Sequence, residues 1–541
     1  MPYDTIARQG MVVAAHPLAA RAGLDVLKRG GNAVDAAVAT ALALNAAEPF
    51  ASGIGGGGFM VIHLVRDHRT TVINYREKAP AAARPEMFNV AGQADRKLSR
   101  THGLAVAVPG ALAGWTYALE AYGSWPLAEL IQGAVAIAEQ GFPVSTSFSK
   151  INKDEYEKLI LNAGEDSCYL NQSFPYEPGD VFRNPELARL FRRLAVRGPE
   201  DFYAGETAAK IVRAVQAKGG ILTREDLAAY RPVEHAPLTG TFRDYTLYST
   251  LPPSCGGIHT LQLLNIVENW PLTDWQHNSP EYLHHLAEAF RFVFADKARH
   301  MGDPDFISVP ISQLISKAYA RQIAERIQSG RPAGDYPAGA FGQGQDKEDS
   351  ANTTHLCVVD KDGNIVSLTQ SINHFFGSGI VPEGTGFLLN NHMDDFDGDP
   401  RSPNAPGPNK RPVSNMGPLL VFRRGRPVLA LGSPGGTRIF TSLAQIILNI
   451  TEFRMSLDEA IEAPRFFSQS VGGKGRVIAM ESRIPEATRA ILASWGHEID
   501  VRDAYDNYFG GAQGILIMPE QGVLVGGADS RRDGFGAGYR P

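Results

Sequence analysis

The chain has 541 residues, 43% apolar and 20% charged, with a formal net charge of -6. That balance supports a large core and excludes a disordered chain, and the acidic sum excludes a broad nucleic-acid footprint. Three cysteines, Cys168, Cys255 and Cys357, are scattered and odd in number, so they offer neither a disulfide framework nor a zinc spacing.

Met1 to Gly10 lacks a basic segment followed by an apolar core. As written the chain reads as cytoplasmic, or as periplasmic or secreted if a leader has been removed. Pro17 to Lys28 has helical periodicity and stops at Gly30-Gly31. Asn32, with Asp35 three residues on, caps a second helix through Ala43, so rich in alanine that it belongs against a sheet. Phe59 to Leu64 and Thr70 to Tyr75 read as paired strands. Helices follow at Ala204 to Lys218 and, behind Ser279-Pro280, at Glu281 to His300. The second half is mostly strands and turns, with a helix near Thr441 to Ile450. No repeat and no membrane-spanning apolar run is present. Such mixed order suits stacked layers of sheet and helix.

One junction stands out. Gly330 to Ser350 is rich in Gly, Pro, Gln and charge, and reads as an exposed linker over about 330–352. Thr353 to Asp360 and Ile365 to Asn373 then read as two strands of a hairpin. A three-residue loop with Gly363 left-handed makes Asp360 face Asn364 and sets Thr353 opposite Ser371, with Asn373 on the same face. A two-residue turn opposes Thr353 to Ile372 instead. A hydroxyl residue opening a buried strand behind a dispensable linker suits a chain that cuts itself between Asn352 and Thr353. Cutting leaves Thr353 with a free α-amine beside its own hydroxyl, a nucleophile with its base built in. The plain alternative is an edge hairpin that happens to carry Thr and Ser.

Further motifs follow in order: Phe376-Gly377-Ser378-Gly379, Leu388 to Phe396, Gly407-Pro408-Asn409-Lys410-Arg411-Pro412 and Gly432-Ser433-Pro434-Gly435-Gly436-Thr437-Arg438. Upstream stand Glu48-Pro49, Gly53 to Met60, Tyr75-Arg76-Glu77-Lys78-Ala79-Pro80, Val108-Pro109-Gly110 and Pro252 to Gly257. Over essentially its whole length the chain resembles the γ-glutamyltranspeptidase family of N-terminal-nucleophile hydrolases. The resemblance implies an α+β fold, a four-layer αββα sandwich forming one compact unit from two autocleaved subunits. It implies a large subunit, 1–352, and a small subunit, 353–541, joined as a heterodimer. The implied activity transfers the acyl group of a small γ-glutamyl donor to water, an amino acid or a peptide, with no cofactor or metal.

By that resemblance Ser371 orients the Thr353 hydroxyl, and the amides of Gly435 and Gly436 form the oxyanion hole. Arg76 takes the substrate α-carboxylate with help from Ser414, and Asn373 and Asp395 take the α-ammonium. Two positions depart from the family pattern. His392 stands where Gln or Glu usually holds the α-amine, and Asn415 stands where a second serine usually follows Ser414. The segment Asp397 to Gly407 is also short, which implies an open cleft without a long lid. Alternatives are a glutaryl-type (cephalosporin) acylase or poly-γ-glutamate hydrolase on the same fold, and an unprocessed, non-catalytic binding protein.

Three motifs are set aside. Gly53 to Gly58 fits a dinucleotide fingerprint, but a strand rather than a helix follows it. His284-His285 with Glu288 lacks metal-ligand spacing, because adjacent residues on a helix face different sides. Cys255 near His259 lacks the surroundings of a thiol nucleophile and reads as a small buried residue.

Overall fold

A computed structural model describes residues 5–90, 93–332, 351–469 and 477–539. Most of the expected linker, 333–350, lies outside the described residues.

Two seven-stranded sheets stack face to face. The first runs in the order Phe535–Tyr539, Gly10–Ala14, Ala351–Val359, Ile365–His374, Gly57–Leu64, Arg69–Asn74, Val233–His235. The second runs Thr5–Ala7, Val523–Ala528, Gln513–Met518, Arg426–Gly432, Leu419–Arg423, Tyr245–Ser249, Leu238–Phe242. All neighbours in both are antiparallel.

The period of two along a strand decides which layer each residue joins. In the strand Ala351–Val359, Leu356 and Val358 pack outward with helices Pro17–Lys28, Ala33–Ala47, Ala111–Tyr122 and Pro185–Arg197. Cys357 and Val359 pack inward against Leu420, Phe422 and Ala430 of the other sheet. The far face of that sheet carries helices Gly256–Val267, Pro280–His300 and Ile439–Thr451. The architecture is therefore the four-layer αββα sandwich.

The expected elements are present with small shifts at their ends. Asn32 caps the second helix through a full capping box, and the helix runs on to Ala47, all of it buried. Ser279 caps the helix Pro280–His300 by accepting from the Tyr282 amide. Gly57–Leu64 is a strand, so the glycine-rich run before it feeds a sheet rather than a nucleotide site. Among the described residues no helix is long and apolar enough to cross a membrane.

Candidate active site

The hairpin after the linker has the three-residue loop. Gly363 adopts φ +84°, its amide donates to the Asp360 carbonyl, and the Asp360 amide donates to the Asn364 carbonyl. From Val359↔Ile365 the ladder climbs evenly to Thr354↔Gln370 and then shifts, so that Asn352 faces Asn373. The even ladder that would set Thr353 squarely opposite Ser371 is interrupted there. A bulge places the single residue Thr353 against two, Ser371 and Ile372. Asn373 supplies the bend with φ +76°, a conformation asparagine tolerates better than most residues.

The bulge has a chemical consequence. In the uncut chain Ser371 Oγ donates to the carbonyl oxygen of Asn352 at 2.5 Å. Before any cleavage that serine is thus bonded to the carbonyl of the Asn352–Thr353 peptide. The Thr353 amide donates to Asn352 Oδ1 at 2.9 Å. A residue that sequence reasoning missed, Arg532, donates to the Thr353 carbonyl at 2.9 Å and also to Asn352 Oδ1. Glu48 Oε1 stands 3.8 Å from Arg532. Burial pushes the Glu48 carboxyl up to about 7, against the pull of Arg532. Glu48-Pro49 was visible as a motif, but the run Arg531-Arg532-Asp533 carried no signal of its own.

The glycine turn leaves the second sheet at Gly432 and enters the helix Ile439–Thr451 through a short turn at Gly436–Arg438. Gly435 has φ +131° and Gly436 φ +56°, so side chains at either position would be strained. Gly435 is also closed in, because a Cβ there would lie 3.1 Å from the Gly510 Cα. Amides at the start of a helix lack intrahelical acceptors, which makes this turn a source of donors. It packs against the strand Ala351–Val359. His355, two residues beyond Thr353, presses its ring on Gly432 and bonds Thr369 at 2.8 Å. Burial drives His355 down to about 3, so it stays neutral.

The charged side of the site is assembled from distant segments. Arg76 is fully buried and donates to the carbonyls of Pro412 at 3.2 Å and Val413 at 3.0 Å. It also pairs with Glu77 at 3.4 Å and with Asp395. His392 Nδ1 lies 2.7 Å from Glu77 Oε1. Burial and then Arg76 hold the His392 imidazole well below its usual range, so it is neutral. Burial lifts Glu77 to about 7, with Arg76 opposing. The two sides touch where Gly57 pairs with Ser371: a Cβ on Gly57 would lie 2.6 Å from Glu77 Oε2. Asn373 Nδ2 closes the ring by donating to the Asn391 carbonyl at 3.1 Å.

Ser414 and Asn415 follow Val413 directly in the chain. Ser414 bridges to Ser254, and its Oγ accepts from the Met416 amide at 3.1 Å. Asn415 Oδ1 accepts from the Cys255 thiol at 3.2 Å. Burial raises that thiol to about 11, which keeps Cys255 protonated near neutrality. The short segment after Asp395 is tied to both of its flanks through Asn404. Asn404 Nδ2 donates to the Asp395 carbonyl at 2.8 Å, and Asn404 Oδ1 accepts from the Val413 amide.

Thr353, Ser371, Asn373, Arg76, His392 and Asp395 are thus brought onto neighbouring segments that Asn352, Gly57, Glu77 and Asn391 join. A model of γ-glutamyltranspeptidase matches residues 19–539. The chain belongs to the γ-glutamyltranspeptidase family. It is 39% identical to the glutathione hydrolase proenzyme of Escherichia coli (strain K12), covering 98% of this chain and 92% of that one. It is equally 39% identical to the acylase ACY 1 proenzyme of Pseudomonas sp. (strain SE83), covering 97% and 93%. Among solved structures, cephalosporin acylase from Bacillus halodurans superposes with a TM-score of 0.87 at 30% identity, covering 100% of this chain and 98% of that one. The chain is an enzyme of this hydrolase and transferase family, made as a proenzyme that processes itself into two subunits.

Elsewhere, His284, Glu288 and His497 converge within 4.8 Å. Arg291 already supplies the cation there, at 2.5 Å from Glu288 and 3.4 Å from His497. His284 bonds His497 at 2.7 Å and the Gln328 carbonyl at 2.9 Å, while His285 turns away onto Trp270 and Trp275. Through the Gln328 carbonyl, His284 ties that residue to the helix Pro280–His300.

Proposed function

We propose that the protein is a γ-glutamyl amide hydrolase and acyltransferase acting on glutathione-like donors, with Thr353 as nucleophile. The observation that carries this reading is the Asn352–Thr353 peptide, with its carbonyl on the Ser371 hydroxyl at 2.5 Å. After cleavage the Thr353 α-amine takes the proton of its own hydroxyl as Oγ attacks the donor γ-carbonyl. With an unperturbed pKa of about 7.7–8.0 the amine suits that task near neutrality. Gly435 and Gly436 amides receive the negative oxygen, and the proton passes to the leaving amine. Water, an amino acid or a peptide then takes the acyl group from the threonyl ester. Arg76 and Ser414 receive the donor α-carboxylate, with Asn415 in place of the second serine. Asn373, Asp395 and His392 face its α-ammonium.

The test is turnover of a γ-glutamyl anilide with and without a dipeptide acceptor. Release of the aniline accelerated by the dipeptide supports the reading. No release from a fully processed protein removes it.

A second reading has its own observation. Asp395 is paired with Arg76, and neutral His392 faces Glu77 rather than an open site. This arrangement offers little net negative charge to an α-ammonium, and so favours donors that lack one, such as glutaryl amides. A relative bearing an acylase name at 39% identity agrees with it. Equal turnover of γ-glutamyl and glutaryl anilides would select this second reading.

A further inference from the structure

We propose that Arg532 is the positioning residue for self-cleavage, gripping the chain on both sides of the Asn352–Thr353 bond. The inference rests on the reading of that bond as the cleavage site. Arg532 comes from the C-terminal turn beyond the strand Val523–Ala528, 180 residues from Asn352 in sequence. One arm of its guanidinium donates to the Thr353 carbonyl at 2.9 Å, and the other donates to Asn352 Oδ1. Asn352 Oδ1 in turn accepts the Thr353 amide at 2.9 Å. The planar fork therefore fixes the residue before the bond and the residue after it at one distance from each other.

The clamp is itself held. Its side chain is 7% exposed, Glu48 stands 3.8 Å away, and the Phe375 ring lies 5.9 Å from the guanidinium carbon. A Cβ on Gly511 would come within 2.8 Å of Arg532 Cδ, so the stem lies along bare backbone. Arg531, one residue earlier, points the other way into Glu481 and Asp529 and serves the packing of the C-terminal turn.

The chemistry explains why such a grip is needed. Thr353 Oγ attacks the Asn352 carbonyl carbon, a C–O bond forms, the C–N bond breaks, and the hydroxyl proton ends on the Thr353 nitrogen. Water then cleaves the ester, leaving the Asn352 carboxylate and the free Thr353 amine. Attack by a residue on its own preceding carbonyl demands a fixed orientation of both residues. Ser371 holds the carbonyl oxygen; Arg532 holds the flanking atoms and touches none of the reacting ones.

The experiment follows cleavage of freshly synthesised full-length chain on denaturing gels for R532Q, R532K, N352A and the R532Q/N352A double variant, with a melting temperature for each. R532Q and N352A should each slow cleavage on the order of 10²-fold, the cost of a misplaced reacting group. R532K, which keeps the charge but loses the fork, should recover only part of the rate. The double variant should be no slower than the slower single, because both changes cut the same contact. Multiplying effects in the double variant, or wild-type cleavage by folded N352A, would overturn the clamp. Should R532Q melt too low to study, R532K and N352A still decide the question: both cleaving at the wild-type rate overturns it. N-terminal sequencing of the wild-type small fragment tests the cleavage site separately. A start other than Thr353 removes the underlying reading, whereas a Thr353 start with unaffected variants removes the clamp alone.

Discussion

Around Thr353 the chain works with hydroxyls, carboxamides and one guanidinium, most of them within a single hairpin. Around Arg76 it works with ionisable side chains brought from Arg76-Glu77 and His392–Asp395, closed by the carbonyls of Pro412 and Val413. Strand register governs the first region. Mutual neutralisation governs the second, where the buried Arg76 is matched by buried Glu77 and by the partly exposed Asp395. A hairpin can keep its chemistry while its neighbours drift. A charge cluster cannot change one member without unbalancing the rest.

The hardest blow to the first region is Thr353→Ala. The full-length band should persist on a denaturing gel and donor turnover should fall by about 10³-fold or more, because nucleophile and base are lost together. Arg76→Gln strikes the second region. It leaves Glu77 and Asp395 without their cation, and should cost about 3–5 kcal/mol of stability in denaturant unfolding. A loss below about 1 kcal/mol, the worth of a surface pair, would mean that the cluster is not mutually neutralised.

Glu48→Gln tests the boundary between the regions. The folded carboxyl sits at about 7, above its ordinary 4.5, so the folded chain holds a proton that the unfolded chain has lost. Its contribution is full below 4.5 and is lost as pH rises through 7. Wild-type stability should therefore fall relative to the glutamine variant by roughly 3 kcal/mol across that window, read from unfolding midpoints at stepped pH. A constant difference would show that Glu48 does not titrate there. The mildest change is His392→Gln, which should shift the ratio of γ-glutamyl to glutaryl turnover by about tenfold, the worth of one hydrogen bond to a charged group. An unchanged ratio would take His392 out of donor recognition.

Much of this was legible in the sequence because it is local. The capping box at Asn32, the loop at Gly363 and the hydroxyl opening the strand at Thr353 each depend on a few adjacent residues. The family resemblance added the order of the distant motifs. The bulge that redirects Ser371 to the Asn352 carbonyl was not legible, since an even count of residues along two strands cannot register a single slipped pair. Nor was Arg532, whose partners lie far away in the chain and whose neighbour Arg531 is identical in type yet points elsewhere. Glu77 was seen only as the companion of Arg76, because its contact with His392 depends on the fold bringing residues 77 and 392 together.

The strand that begins at Ala351 is flanked by Gly10–Ala14 on one side and by the strand Ile365–His374 on the other, and that second strand is bordered in turn by Gly57–Leu64. In the other sheet, Tyr245–Ser249 borders Leu419–Arg423, and Thr5–Ala7 borders Val523–Ala528. A cut after Asn352 therefore divides the polypeptide without dividing either sheet. The two products share their hydrogen-bond ladders as neighbouring staves share a barrel, and they can part only by unravelling it. Unlike a pair of subunits in reversible exchange, such a dimer has no folded monomer to return to, and its activity per molecule should be indifferent to dilution.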